Sequence, residues 1–243
     1  MSETSTWSEA PGTLSLTTGE VHVWRIELDQ PDRVLERFRK TLEADELDRA
    51  GRFHFEKHRR HFVAGRGFLR YVLARYLHVP PESLRFKYGA YGKPSLTGLQ
   101  FNMSHSHNVG LVAVSEMKEL GVDVEHIRAD FATEDIARRF FSRAEVETFN
   151  TLATDEQVAA FFRCWTRKEA YIKAIGLGMS QPLDEFDVTL APNDLPALLY
   201  AKEDDALRWH LSDLDVDHDY AAALIVEAPV SNIRLYQPRI LTD

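Results

Sequence analysis

A chain of 243 residues, 44% hydrophobic and 28% charged, is long enough to bury a core as one large domain or two small ones. The formal net charge of −9 argues against a general nucleic-acid binder, and no apolar run approaches the length of a membrane span. Met1 to Ser5 has neither a basic n-region nor an apolar h-region, and Cys164 is the single cysteine, so the chain reads as cytoplasmic, without an intrachain disulfide.

Residues 1–18 are polar and rich in Thr and Ser, and read as a flexible N-terminal arm. Val21 to Ile26 alternates as a strand, and Pro31 opens a helix carrying Val34, Leu35 and Phe38. A second helix is predicted over residues 57–78, with Phe62, Leu69, Val72, Leu73 and Tyr76 as its apolar stripe and Pro80-Pro81 as its stop. On its flank Arg59, Arg66 and Arg70 fall within about 40° of one another. They form either an ordinary charged flank over the core or a cationic strip for an anionic ligand. Residues 88–94 are a turn-rich loop, and short strands follow at 101–104 and 109–115, so Ser104 and His105 are expected just past a strand end.

In the second half, Gly121 to Glu125 alternates, which puts Asp123 and Glu125 on the face opposite Val122 and Val124. A helix around 133–140, a less regular helical stretch at 145–154 and a long helix over 157–175 come next. Strands near 186–190, 207–212 and 220–226 complete the reading. Each half thus runs strand, helices, strands, and the break is expected near residues 116–120.

The long helix carries the sharpest local pattern. In Trp165-Thr166-Arg167-Lys168-Glu169-Ala170-Tyr171-Ile172-Lys173-Ala174-Ile175-Gly176, Trp165, Glu169 and Lys173 rise along one face, one turn apart. By itself Glu169–Lys173 is a solvated pair worth a few tenths of a kcal/mol, and Asp123 with Glu125 is the wet face of a strand. Taken jointly, three carboxylates and a lysine can meet at one strand–helix junction. A hard divalent cation holding a phosphorylated ligand needs such a set. The histidines at 54, 58 and 61 lack a carboxylate or cysteine partner for zinc, and His105-x-His107 is an unsupported two-histidine match. Cys164 reads as a small core residue.

These blocks, with Tyr91-Gly92-Lys93-Pro94, Asn102-Met103-Ser104-His105-Ser106, Phe140-Phe141-Ser142 plus Glu145, and Pro182-Leu183-Asp184, resemble the 4′-phosphopantetheinyl transferases in order and content. The likeness is to the surfactin-synthetase-activating type and covers about residues 50–190. The resemblance implies an α+β fold made of a pseudo-twofold pair of α/β subdomains, here 19–117 and 118–243, with the coenzyme A site at their interface and the metal site in the second. It implies transfer of phosphopantetheine from coenzyme A to a serine of an apo acyl or peptidyl carrier protein, releasing adenosine 3′,5′-bisphosphate. The expected cation is Mg²⁺, with Mn²⁺ as the substitute, and the expected state is a monomer acting without nucleic acid or membrane.

Residue by residue, the resemblance places Asp123, Glu125 and Glu169 on the metal, with Glu169 as general base instead or in addition. Lys173 faces the migrating or leaving phosphate. Arg59 or Arg60, Arg66, Lys93, Ser104 and His105 meet coenzyme A, with His105 also counted in the catalytic set. Glu145 matches an acidic position whose role is open, and Phe62 stands where some members place a polar nucleotide contact. Carrier docking is expected at Phe140 and Phe141 with Arg138, Arg139 and Arg143, unless both phenylalanines are core. The competing readings are a Mg²⁺-dependent nucleotide phosphohydrolase and a catalytically silent binding module.

Overall fold

The chain builds one connectivity twice. In the computed structural model, which describes residues 6–132 and 134–238, strand β1 (Ser8–Glu9) precedes β2 (Glu20–Glu27) and helices α1 (Asp32–Arg39), α2 (Ala44–Gly51) and α3 (Glu56–Leu77). The short pair β3 (Lys87–Tyr88) and β4 (Pro94–Ser95) leads to the hairpin β5 (Gln100–Ser106) and β6 (Val109–Ser115). The second half runs β7 (Leu120–His126), α4 (Glu134–Phe140), α5 (Arg143–Thr151) and α6 (Thr154–Ile175). Then come β8 (Phe186–Val188), β9 (Leu198–Ala201), β10 (Trp209–Asp213), β11 (Tyr220–Glu227) and β12 (Asn232–Gln237). In each half the last hairpin strand pairs antiparallel with the first strand: β6 lies between β2 and β5, and β11 between β7 and β10. Helix α3 packs on the first sheet and α6 on the second, and both are 22 residues long.

Two-sided burial explains why the strands read as nearly continuous apolar runs. Trp24 and Ile26 of β2, with Val112 and Val114 of β6, pack under α3. The alternate residues Val21, Val23, Leu111 and Ala113 turn the other way and meet Val122, Val124 and Leu224 of the second sheet. The two sheets therefore share a middle core, and α6 covers the far side, with its Ala170, Ile172 and Ala174 in one cluster with Ala223 and Ile225 of β11.

The structure departs from the sequence reading in several elements. Residues 6–18 do not all form a loose arm, because β1 pairs with β12 and Leu14 is buried; residues 1–5 lie outside the described residues. Helix α2 escaped detection because its sequence is mostly polar. Its Glu46 is buried instead against Arg66 and Arg70 of α3. Strand β12 crosses back to lie parallel to β2, so the end of the chain completes the sheet of the first half. Ser104 and His105 lie within β5 rather than beyond it. Of the helix expected at 133–140, Glu134–Phe140 is formed and Thr133 lies outside the described residues. Helix α3 stops where His78 adopts the left-handed region ahead of Pro80, and α6 stops at Gly176 with φ of 73°. No described helix is long and apolar enough to cross a membrane.

Candidate active site

The site begins with a glycine. A Cβ on Gly121 of β7 would lie 2.0 Å from the Ala170 carbonyl oxygen and 2.5 Å from the Ala174 amide nitrogen of α6. Only a bare backbone lets strand and helix come this close, with alanines on the helix side. Residues 169 and 173, each one position before a contacting alanine, are thereby brought beside Asp123. Gly121→Ala is expected to destabilise the fold by about 1–3 kcal/mol or more through overpacking, and to lower activity even in the folded fraction. Urea unfolding together with rate measurement checks both; an unaffected protein would mean that the contact is looser than described.

Asp123 is buried and its Oδ1 accepts from Lys173 Nζ at 2.6 Å and from Ser104 Oγ at 2.7 Å. Lys173 also donates to Ser104 Oγ at 2.8 Å, closing a triangle between β5, β7 and α6. The other oxygen, Asp123 Oδ2, is buried with no hydrogen-bond partner. Glu125, two residues along the same face, accepts from Ser106 Oγ at 2.7 Å. Burial raises the pKa of both Glu125 and Glu169, and in each the Asp123 charge raises it further while Lys173 opposes.

Among the described residues no three His, Cys, Asp or Glu side chains are arranged to hold a metal ion unaided. Lys173 takes one Asp123 oxygen, which leaves Oδ2 and the two glutamates as oxygen donors. An orphaned buried carboxylate oxygen beside carboxylates that are costly to ionise is a fit for a hard divalent cation completed by ligand oxygens and water.

Beside this junction a cleft of about 340 Å³ opens between α2, α3 and β5, lined by Arg49, His61, Arg66, Tyr88, Met103 and His105 among others. Arg66 is held by Glu46 and the Tyr88 hydroxyl, with its guanidinium 4.5 Å from the centre of the Phe86 ring. His105 reaches solvent at the cleft wall. The protein packed around its ring, and then the Lys173 ammonium, hold its pKa below the usual imidazole value. Lys93 donates to the Ala174 carbonyl at 2.8 Å, near the C-terminal end of α6, while its neighbours Gly92 and Pro94 line the cleft. Its partial burial lowers its pKa.

Arg59 is not brought to this cleft. It pairs with Glu56 and lines a separate hollow with Arg60, which is tied to Asp32. Seven residues of helix, about 10 Å of rise, separate Arg59 from Arg66, so a shared angular face did not mean a shared site. Arg70 is fully buried, bonded to Glu43, Glu46 and the carbonyls of Pro81 and Leu84, and is structural. Arg49 and His61 were missed as cleft residues. Arg49 sits on α2, whose mostly polar sequence gives no helical signal, and the sequence around His61 suggests only a zinc ligand; its Nε2 lies 2.7 Å from Asp29 Oδ1.

Residues 119–225 match the family model described as the 4′-phosphopantetheinyl transferase superfamily, and residues 30–117 match one described as 4′-phosphopantetheinyl transferase, N-terminal. The 4′-phosphopantetheinyl transferase HetI of Nostoc sp. is 43% identical over 227 residues, covering 91% of this chain and 93% of its own. This chain belongs to the 4′-phosphopantetheinyl transferase superfamily. It is similar too to the 4′-phosphopantetheinyl transferase Sfp of Bacillus subtilis, 30% identical over 173 residues, 69% of this chain and 76% of that one. Among solved structures, a Bacillus anthracis holo-(acyl-carrier-protein) synthase in complex with CoA aligns over 45% of this chain and 94% of its own, at 21% identity and a TM-score of 0.38.

Two further residues of the transferase turn out to be framework. Glu145 is buried: it accepts from the Ser142 and Val188 amides at 2.8 Å each and lies 2.7 Å from Lys168 Nζ, so it locks α5, α6 and β8 together. Phe141 is core, packed on Phe161. Phe140 is only half-buried, edge-on to Trp165, with the Arg139 guanidinium 5.3 Å from its ring centre.

Proposed function

We propose that this transferase moves the 4′-phosphopantetheinyl group of coenzyme A to a serine hydroxyl of an apo acyl or peptidyl carrier protein, as a cytoplasmic, Mg²⁺-dependent monomer. The observation that carries the cation is the partnerless buried Asp123 Oδ2 beside Glu125 and Glu169. Asp123, Glu125 and Glu169 would hold the cation, which when bound supplies Lewis-acid charge to phosphate oxygens.

The chain's own groups carry the remaining steps. The serine oxygen attacks the phosphorus that bears pantetheine; a new P–O bond forms, and the bond to the second phosphate breaks with its electron pair. Adenosine 3′,5′-bisphosphate leaves. Glu169 takes the serine proton, directly or through a water. In the metal-free protein, burial and then the Asp123 charge raise its pKa. Lys173, already beside Asp123, offsets charge on the transferring and departing phosphates. Arg66 and His105, lining the cleft, with Lys93 at its edge, orient the nucleotide phosphates.

Mass spectrometry of apo carriers incubated with the protein, coenzyme A and Mg²⁺ tests the reading. Gain of one phosphopantetheine on serine supports it. Coenzyme A cleavage that proceeds equally without carrier would convert the assignment to a phosphohydrolase.

For the carrier, half-buried Phe140 and Trp165 lie near the acidic junction, because Trp165 is four residues before Glu169 on α6. Arg138 and Arg143 are exposed but already paired with Glu134 and Glu147. With a net charge of −9, the long-range force on an acidic carrier is repulsive and slows encounter at low salt, so docking rests on the apolar centre. KM for the carrier is expected to stay flat or fall as salt is raised. A steep rise with salt would transfer docking to the arginines.

A further inference from the structure

The edge strands β5 and β7 belong to different sheets and lie side by side without a backbone ladder between them. Side chains of alternate β5 residues bridge the gap instead. Asn102 Oδ1 accepts from the Val122 amide at 3.0 Å, Ser104 Oγ donates to Asp123 at 2.7 Å, and Ser106 Oγ donates to Glu125 Oε2 at 2.7 Å. The third rung has a fixed polarity. The His126 amide donates to Ser106 Oγ at 3.1 Å, so a backbone N–H occupies a lone pair of the hydroxyl. A serine hydroxyl has one proton, and here that proton is aimed at Glu125.

We propose that Ser106 is a positioning residue for the metal site: it fixes Glu125 so that one carboxylate oxygen is held by the hydroxyl and the other is left for the cation. This rests on the reading of Glu125 as a metal ligand. It extends that reading to a residue of the first half of the chain, which sets a ligand on the second. Ser106 holds Glu125 where a freely rotating glutamate would have to be ordered on binding. Partners of this kind orient metal ligands, and their loss typically weakens metal affinity by about 10–100-fold.

The test is direct Mn²⁺ binding, followed by electron paramagnetic resonance on the full chain without carrier, alongside the Mg²⁺ dependence of transfer. Ser106→Ala is expected to weaken Mn²⁺ binding by about tenfold or more and to raise the Mg²⁺ concentration for half-activation in parallel. Turnover at saturating metal should fall far less. Ser106→Thr keeps the hydroxyl and is expected to restore both values. A Ser106→Ala protein that melts as the parent does and binds Mn²⁺ equally well would overturn the proposal, as would a folded Ser106→Thr protein as weak as the alanine variant. Should Ser106→Ala fail to fold, Ser106→Thr against Ser106→Val decides: equal Mn²⁺ affinity in these two similarly shaped variants overturns it. Glu125→Ala separates the two levels of inference. If it leaves Mn²⁺ affinity unchanged, the ligand reading itself fails; if it weakens binding while Ser106→Ala does not, only the role of Ser106 falls.

Discussion

Glu169→Gln is expected to cut turnover by about 10²–10⁴-fold, the range associated with loss of a general base, while coenzyme A still binds through the cleft. The substitution keeps size and one oxygen but removes the proton acceptor and a negative charge. The pH dependence gives the sharper signature. Burial, then the neighbouring Asp123 and Glu125 charges, raise the Glu169 pKa. A base must be ionised, so any acid limb of the rate profile that follows its deprotonation should vanish in the variant.

The same shift has the opposite sign for stability. A carboxyl with a raised folded-state pKa favours folding below its unfolded pKa and loses that contribution as pH rises through the folded pKa. At neutral pH the ionised glutamate therefore costs the metal-free protein stability. Metal-free Glu169→Gln should melt higher than the parent at pH 7, with the gap closing below the unfolded value of about 4.3. A variant that melts no higher and turns over normally would remove Glu169 from the site.

Lys168→Met is expected to destabilise the protein by about 3–5 kcal/mol, the typical cost of breaking a buried ion pair. Lys168 and Glu145 have side chains only 1% and 2% exposed and lie 2.7 Å apart, so removing the lysine leaves a buried carboxylate held by two backbone amides but with no opposite charge beside it. The Lys168 ammonium also donates to the Phe186 carbonyl at 2.6 Å and sits 4.1 Å from the Phe186 ring centre, which ties α6 to β8. The double change Lys168→Met with Glu145→Gln should recover part of the loss, because no charge is then stranded and an amide oxygen still accepts from a backbone N–H. Chemical denaturation of the single and double variants measures this. Turnover per folded molecule should be near that of the parent, since Lys168 faces the interior while its neighbour Glu169 faces the junction. Equal losses in the single and double variants would mean that the pair is not the unit of stability.

Run together, Thr166, Arg167, Lys168 and Glu169 look like one solvated charged patch. The structure buries the first three and leaves only Glu169 beside Asp123. Arg167 is sealed by Asp213 and the Thr189 carbonyl, which lie 46 and 22 residues away. Nothing local distinguishes a charge that finds such partners from one that finds water. The same holds for Glu46, whose partners Arg66 and Arg70 lie on the next helix but one turn apart, and for Glu145, whose acidic character gave no sign of Val188 or Lys168.

Periodicity, by contrast, is written along the chain itself. The period of 2 in residues 121–125 set Asp123 and Glu125 on one face, and the period of 3.6 in α6 set Glu169 and Lys173 one turn apart; both arrangements are found. The sequence by itself therefore determined the strand that carries Asp123 and Glu125 and the helix that carries Glu169 and Lys173, but not α2 of the cleft wall nor the full extent of β5. Only the tertiary structure decided which of them touch: that Lys173 closes on Asp123, that Ser106 reaches Glu125, that Arg59 falls in another hollow and that β12 returns to the first sheet. Those outcomes depend on how two sheets and two long helices stack. Contacts between residues distant in sequence leave no repeat in the chain from which to read them.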